Sequence, residues 1–406
     1  MADTNSVNKI DNLEVVVLAA GQGTRMRSAE PKVLHAIGGR PMLSRVLDTA
    51  VAVGAESVHV VVGHQAQRVE EVVGADPSFV DLPVRWVLQE EQNGTAHAVE
   101  QALPGINAES VVLVNYGDVP LVSAETLKAC AAHAASGALA LVTAHFEDPA
   151  QLGRIIRDES GAVRAIVEYA DASPEERDLK EINSGIMAMS AELLKQLLPN
   201  IEPANAQDEY YLTDLVALAV ARGVPVQGLV TDAPAEVMGI NDRVQLAEAE
   251  RLFQKQAAEK LMREGVTITD PSRIDIRGTV TAAEDCYIDI NVVLDGEVRL
   301  GRNVRIGPGS VIRNSSLGDG VIVEAHTLVD GAEVGADCSL GPFARIRPGT
   351  VLADEVRIGN FVETKKAQLG RGTKASHLTY LGDATLGEDC NVGAGTVTCN
   401  YDGVNK

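Results

Sequence analysis

The sequence predicts two differently built domains joined by a helix: an open α/β domain with a mostly parallel sheet, then a domain assembled from short β repeats. Three observations carry this. Up to Arg243, β-branched runs alternate with longer amphipathic or alanine-rich stretches. From Val244 the apolar residues fall at helical spacing, and beyond Gly265 they recur at every sixth position. A chain of 406 residues has room for two or three such units, each with its own core. The expected divisions are 1–243, 244–265 and 266–406.

In chain order, Val15-Val16-Val17-Leu18 opens the sheet, followed by Val58 to Val62, Val111 to Val114 and Leu139 to Val142 as further strands. Helices are expected between them at Met42–Val53, Ala96–Ala102 and Ala124–Ala135. In the linker, Leu246, Ala249, Phe253, Ala257 and Leu261 form one helical stripe, and Gly265 stands where a helix stop belongs. The repeat then runs through Ile288, Leu294, Leu300, Ile306 and Ile312, with Val292, Val298, Val304, Ser310 and Ser316 four residues after each. Its phase slips by one at Leu317 and again at Val334, continues through Leu340, Ile346, Leu352 and Ile358, and resumes at Leu369, Ala375, Leu381, Leu386 and Val392. A one-residue slip fits a corner that has gained or lost a residue, whereas an amphipathic helix does not sustain a period of six. The pattern resembles the hexapeptide repeat of left-handed parallel β-helices, in which three repeats make one triangular coil. Cys286, Cys338 and Cys390 all take the small position of that repeat, so they are expected to pack inward as small hydrophobes.

Composition narrows the function. A net charge of -22 and 3% aromatic residues argue against nucleic acid and anionic membranes as partners. A small phosphate ligand would need a local cluster of cations, backbone N–H groups or a metal. The five cysteines form no CxxC pair, the N-terminus MADTNSVNKIDNLE has no apolar signal core, and no apolar run approaches membrane-spanning length. The chain reads as cytoplasmic.

After the first strand comes Leu18-Ala19-Ala20-Gly21-Gln22-Gly23-Thr24-Arg25-Met26, then Pro31-Lys32-Val33-Leu34. Small residues after a strand let backbone N–H groups approach a phosphate, and Arg25 and Lys32 supply the local cations. This is neither a GxGxxG fingerprint nor a Walker A loop. The whole string resembles the signature of nucleoside-triphosphate sugar nucleotidyltransferases, whose domain is Rossmann-like. Further segments extend the likeness: Gln89 to Ala98 with Gly94-Thr95, Tyr116-Gly117-Asp118-Val119-Pro120, Gly153-Arg154, Glu168, Asn183-Ser184-Gly185 and Gly239-Ile240-Asn241. With the β-helix attached, the chain resembles, over essentially its whole length, the bacterial bifunctional N-acetylglucosamine-1-phosphate uridyltransferase/glucosamine-1-phosphate N-acetyltransferase family. It departs from the usual pattern at Gln22, Asn93, Asn115, Ala170, Asp208 and Met238.

The resemblance implies roles by motif. Asp118 and Asn241 would hold Mg²⁺, the cofactor, with Arg25 and Lys32 on the phosphates beside Leu18, Ala19, Ala20 and Gly21. Gln89, Gly94 and Thr95 would contact uracil and the nearby ribose, Tyr116, Gly153, Glu168 and Asn183 would line the sugar and ribose pocket, and Gly117 would bind the nucleotide or nucleotide sugar. On the β-helix, Arg347, Lys365, Tyr380 and Asn391 would bind the sugar phosphate and Ala394, Asn400 and Tyr401 the acetyl-coenzyme A. His377 would be the general base, a task imidazole suits near neutral pH. The implied substrates are UTP, N-acetylglucosamine 1-phosphate, glucosamine 1-phosphate and acetyl-CoA, and the implied assembly is a homotrimer. The product would feed peptidoglycan and lipopolysaccharide synthesis. Family members continue past the position of Lys406, so acetyl transfer is expected to be impaired here. Two alternatives stay open: a monofunctional nucleotidyltransferase with a β-helix for assembly or regulation, and a noncatalytic trimeric nucleotide-binding scaffold. The cluster of Arg347, Lys365 and His377 speaks against the first, and the intact set of Arg25, Lys32, Asp118 and Asn241 against the second.

Overall fold

The computed structural model describes residues 10–401, 403 and 404, so the N-terminal stretch read above for a signal lies largely outside the described residues. The chain divides into two compact units, Met1–Ala36 with Pro41–Leu246, and Ile37–Arg40 with Ala247–Lys406.

The first unit is built on a nine-stranded sheet. Leu13–Ala19 lies at its centre, buried along its length and parallel to Ser57–Val62 on one side and Val111–Tyr116 on the other. A strand covered on both faces needs apolar residues at every position: Val15 and Val17 enter one core cluster, Val16 and Leu18 the other. Glu14 is the polar exception. It accepts hydrogen bonds from Ser110 Oγ at 2.7 Å and the Asn107 N–H at 2.9 Å, and pairs with buried His59 at 2.7 Å. From Leu13–Ala19 the sheet grows one way through Ser57–Val62 to Val84–Leu88 and the other way to Val111–Tyr116. The crevice at the carboxyl ends of the two diverging central strands is the topological switch point where open α/β sheets bind ligands. The expected helices form at Met42–Val53, Thr95–Ala102 and Ala124–Ala135. One strand, Glu181–Ser190, runs antiparallel between Val111–Tyr116 and Leu139–His145. Its register shifts between Asn183 and Met187 around Gly185, which has φ 84°.

The linker helix spans Arg243–Arg263, and from Ala247 on it belongs to the second unit. Gln254 on it is buried, and its amide donates to the Ile276 carbonyl at 2.8 Å and accepts from the Ile276 N–H at 2.7 Å, standing in for a neighbouring strand at the first coil. The Gly38 N–H donates to Glu250 Oε2 at 2.7 Å, and a Cβ on Gly39 would lie 3.0 Å from Arg277 Cβ. Those contacts correct the expectation that residues 1–243 form one unit, since Ile37–Arg40 groups with the second.

Beyond the helix, short strands pair in parallel with the next coil: Ile274 with Val292 and Tyr287 with Arg305, eighteen residues on, then Arg305 with Ile322 and Val311 with Leu328, seventeen on. The phase slips in the sequence are these shortened coils. Every apolar sixth residue from Ile288 to Ile358 is buried in one continuous core. Two inward expectations need correction. Ser315, not Ser316, is buried, because the coil loses its residue just before Leu317. Cys286 and Cys338 are buried, but Cys390 is half-buried, on the last coil described.

Candidate active sites

Within the first unit, Leu18, Ala19, Ala20 and Gly21 run off the central strand onto the wall of a cavity of about 290 Å³. Gly23 sits at φ 62°, and a Cβ there would fall 2.6 Å from Lys32 Cβ, so the loop closes on the lysine stem only with glycine at this point. Lys32 Nζ then reaches the Asp118 carboxylate and, at 3.2 Å, Asn241 Oδ1. Asp118 follows strand Val111–Tyr116, and its carbonyl accepts the Ile240 N–H at 2.9 Å, which zips the Asp118 turn to the Gly239-Ile240-Asn241 loop. Two hard oxygen donors, 86 and 209 residues from Lys32 in the sequence, thus converge on one cationic group. That donor set fits a small divalent ion, which completes its shell with water and phosphate oxygens.

At the other end of the cavity, Gln89 is buried, and its amide donates to the Gly94 carbonyl at 3.2 Å. Gly94 has φ 110°, and a Cβ would lie 2.5 Å from the Tyr210 carbonyl. That carbonyl accepts the Ala96 N–H at 2.9 Å, and Thr95 Oγ1 accepts the Leu212 N–H at 3.0 Å, so the 93–96 loop is fixed against the 210–212 segment. Gln92, which the sequence reading placed in this loop without a role of its own, donates to the Ala20 carbonyl at 2.7 Å and ties the loop to the phosphate turn.

Thr95, Tyr116 and Glu209 also line an adjoining cavity of about 410 Å³, with Glu168, Asn183 and Tyr169. The bulge at Gly185 exists for this site: a Cβ there would lie 2.5 Å from the Tyr116 ring. Burial pushes the Glu168 carboxyl above the usual range, opposed by a hydrogen bond from Thr213 and reinforced by the charges of Asp171 and Asp214. Burial and the same acidic neighbourhood push the Tyr211 hydroxyl up to about 12. Gly153 lets Glu168 approach, since a Cβ there would sit 3.1 Å from its Oε2. Gly117 is a packing glycine: a Cβ there would lie 3.1 Å from Ala19 Cβ and 3.2 Å from Val33 Cγ1. Arg25 does not join the group: it is exposed on the turn Thr24–Met26 and lines neither cavity.

In the second unit, successive coils bring another set together. Arg347 Nη1 donates to Glu363 Oε1 at 2.7 Å, and Glu363 stands in register with Tyr380. Lys365 is in register with Gly382, whose missing side chain leaves room for Tyr380 and Asn400. Asn400 Nδ2 lies 3.4 Å from the Tyr380 hydroxyl and also bonds Asp383. His377 is exposed, with Nδ1 3.1 Å from Asn360 Oδ1. Asn391, Ala394 and Tyr401 are exposed on the last coil described, and the Tyr401 hydroxyl donates to the Gly403 carbonyl. Glu363 and Asn360 were not singled out as site residues from sequence. The signal for each was a polar side chain one coil away from a singled-out residue, visible once the coil length is known.

Comparison with known proteins agrees with this division. Residues 15–231 match a family model described as the MobA-like NTP transferase domain, and residues 276–369 match one described as the GMPPB C-terminal domain. The chain is 56% identical over 394 residues to the bifunctional protein GlmU of Alkalilimnicola ehrlichii, covering 97% of this chain and 84% of that protein. Its counterparts in Marinobacter nauticus and Cellvibrio japonicus are each 52% identical, over 97% of this chain and 86% of theirs.

Proposed function

The chain belongs to the family of bifunctional GlmU proteins, and from that premise we propose how its two sites divide the synthesis of UDP-N-acetylglucosamine. The β-helix transfers an acetyl group from acetyl-CoA to glucosamine 1-phosphate. The α/β unit then transfers uridylyl from UTP to N-acetylglucosamine 1-phosphate and releases pyrophosphate. The observation that carries the second step is the convergence of Lys32, Asp118 and Asn241 at the sheet's switch point.

In uridylyl transfer a phosphate oxygen of the sugar phosphate attacks the α-phosphorus of UTP, so no protein nucleophile is needed. Asp118 and Asn241 are the groups that would hold the divalent ion, Mg²⁺ in our reading, which neutralises charge on the phosphates when bound. Lys32 and the N–H groups of the Ala20–Gly21 turn bind the phosphates, and Gln89, Gly94 and Thr95 the uracil end. Glu168, Asn183 and Tyr116 hold the sugar. In acetyl transfer the substrate amine attacks the thioester carbonyl, the C–S bond breaks, coenzyme A leaves, and His377 takes the amine proton. Arg347, Lys365, Tyr380 and Asn391 bind the sugar phosphate, and Ala394, Asn400 and Tyr401 the coenzyme. We further propose a cytoplasmic homotrimer; no helix among the described residues is long and apolar enough to cross a membrane.

The test is pyrophosphate release from UTP with a panel of sugar 1-phosphates. N-acetylglucosamine 1-phosphate should be the best substrate, and release should stop on chelation of divalent ions. Equal rates with unacetylated glucosamine 1-phosphate would overturn the order of steps.

A further inference from the structure

His377 occupies a column of residues, one per coil, each lying just before a left-handed corner. Asn360 is its register partner one coil back, and the corner residues Phe361 and Leu378 follow them at φ 58° and 45°. The Phe361 N–H donates to the Phe343 carbonyl and their rings stack at 5.7 Å, which puts Pro342 in the column beneath Asn360. The Gly395 N–H donates to the Leu378 carbonyl at 3.0 Å, which puts Ala394 above His377. Proline and alanine offer no side-chain hydrogen-bonding group, so within the column Asn360 and His377 have only each other. Asn360 Oδ1 lies 3.1 Å from His377 Nδ1, and the histidine backbone is held by Thr379 Oγ1, which donates to its carbonyl at 2.7 Å.

We propose that Asn360 is a positioning residue for acetyl transfer. Its side-chain carbonyl accepts the hydrogen of His377 Nδ1 and selects the tautomer that leaves Nε2 bare to take the proton of the attacking amine. A neutral amide fixes the ring without placing a carboxylate against it. The inference rests on the reading of His377 as the general base.

The test is nitrogen NMR of the full chain labelled at histidine, at a pH where the ring is neutral, with His377 assigned from the signal missing in His377→Ala. The expected spectrum has Nδ1 protonated and Nε2 bare. Asn360→Ala should move both nitrogens toward the averaged shifts of exchanging tautomers, and Asn360→Asp, which still offers an acceptor, should retain the fixed form. Asn360→Ala should also lower kcat for acetyl transfer several-fold with little change in KM for acetyl-CoA. A protonated Nε2 in the unaltered chain, or an unchanged spectrum in Asn360→Ala, would overturn the proposal and leave the general-base reading standing. Acetyl transfer undiminished in His377→Ala would instead remove the general-base reading, whatever the tautomer.

Discussion

Asp118 is where the account can be damaged by one side chain. A divalent ion deprived of one of few protein ligands loses position as well as affinity, so Asp118→Ala should lower pyrophosphate formation by at least about 100-fold, the scale of losing one strong electrostatic stabiliser. Circular dichroism should stay unchanged, because the side chain is partly exposed and its backbone carbonyl still accepts the Ile240 N–H. Near-normal activity of the folded variant would contradict the metal assignment. Glu14 makes a different prediction, about stability. Burial pushes its carboxyl up, but hydrogen bonds from Ser110, His59, Asn107 and Ser57 outweigh it and hold the group at about 2. A carboxyl held below its unfolded value of 4.5 stabilises the fold fully above that pH and loses the contribution as pH falls toward 2. Glu14→Gln should cost roughly 2–3 kcal/mol in urea unfolding at pH 7, and the difference from the unaltered chain should shrink steadily on acidification below pH 4.5. At this scale the sequence announced Lys32, Asp118 and Asn241 through their motifs. It did not announce Glu14, whose four partners come from segments 43 to 96 residues away.

Among the elements, those with a strong period were legible and those defined by a tertiary contact were not. The six-residue repeat located the coils, and its slips marked the seventeen-residue turns, because each inward position must be filled or the core opens. The antiparallel strand Glu181–Ser190 escaped notice: its apolar pattern is that of any buried strand, and direction is set by what it pairs with. Ile37–Arg40 escaped for a similar reason, since a glycine pair reads as a turn and its partners, Glu250 and Arg277, lie far along the chain. Gln254 gives a test at this scale. Gln254→Ala removes both bonds to Ile276 and leaves a buried N–H and carbonyl unpaired, so it should destabilise the second unit by about 2–4 kcal/mol. Thermal unfolding followed at that unit checks it; a change below 0.5 kcal/mol, the size of an ordinary surface substitution, would contradict it.

For the whole molecule, the groups assigned to the two reactions lie in separate units: Lys32, Asp118 and Asn241 in the first, Arg347, His377 and Tyr380 in the second. Flat faces on a three-sided coil suit threefold packing, and light scattering at micromolar concentration should return three times the 42.8 kDa chain mass. A monomer there would count against the trimer. The separation of groups is the central claim, and it is tested most directly by assaying pyrophosphate release and acetyl transfer side by side in Asp118→Ala and His377→Ala. Each variant should lose one activity and keep the other at the level of the unaltered chain. A folded variant of either kind that loses both would contradict the division of labour.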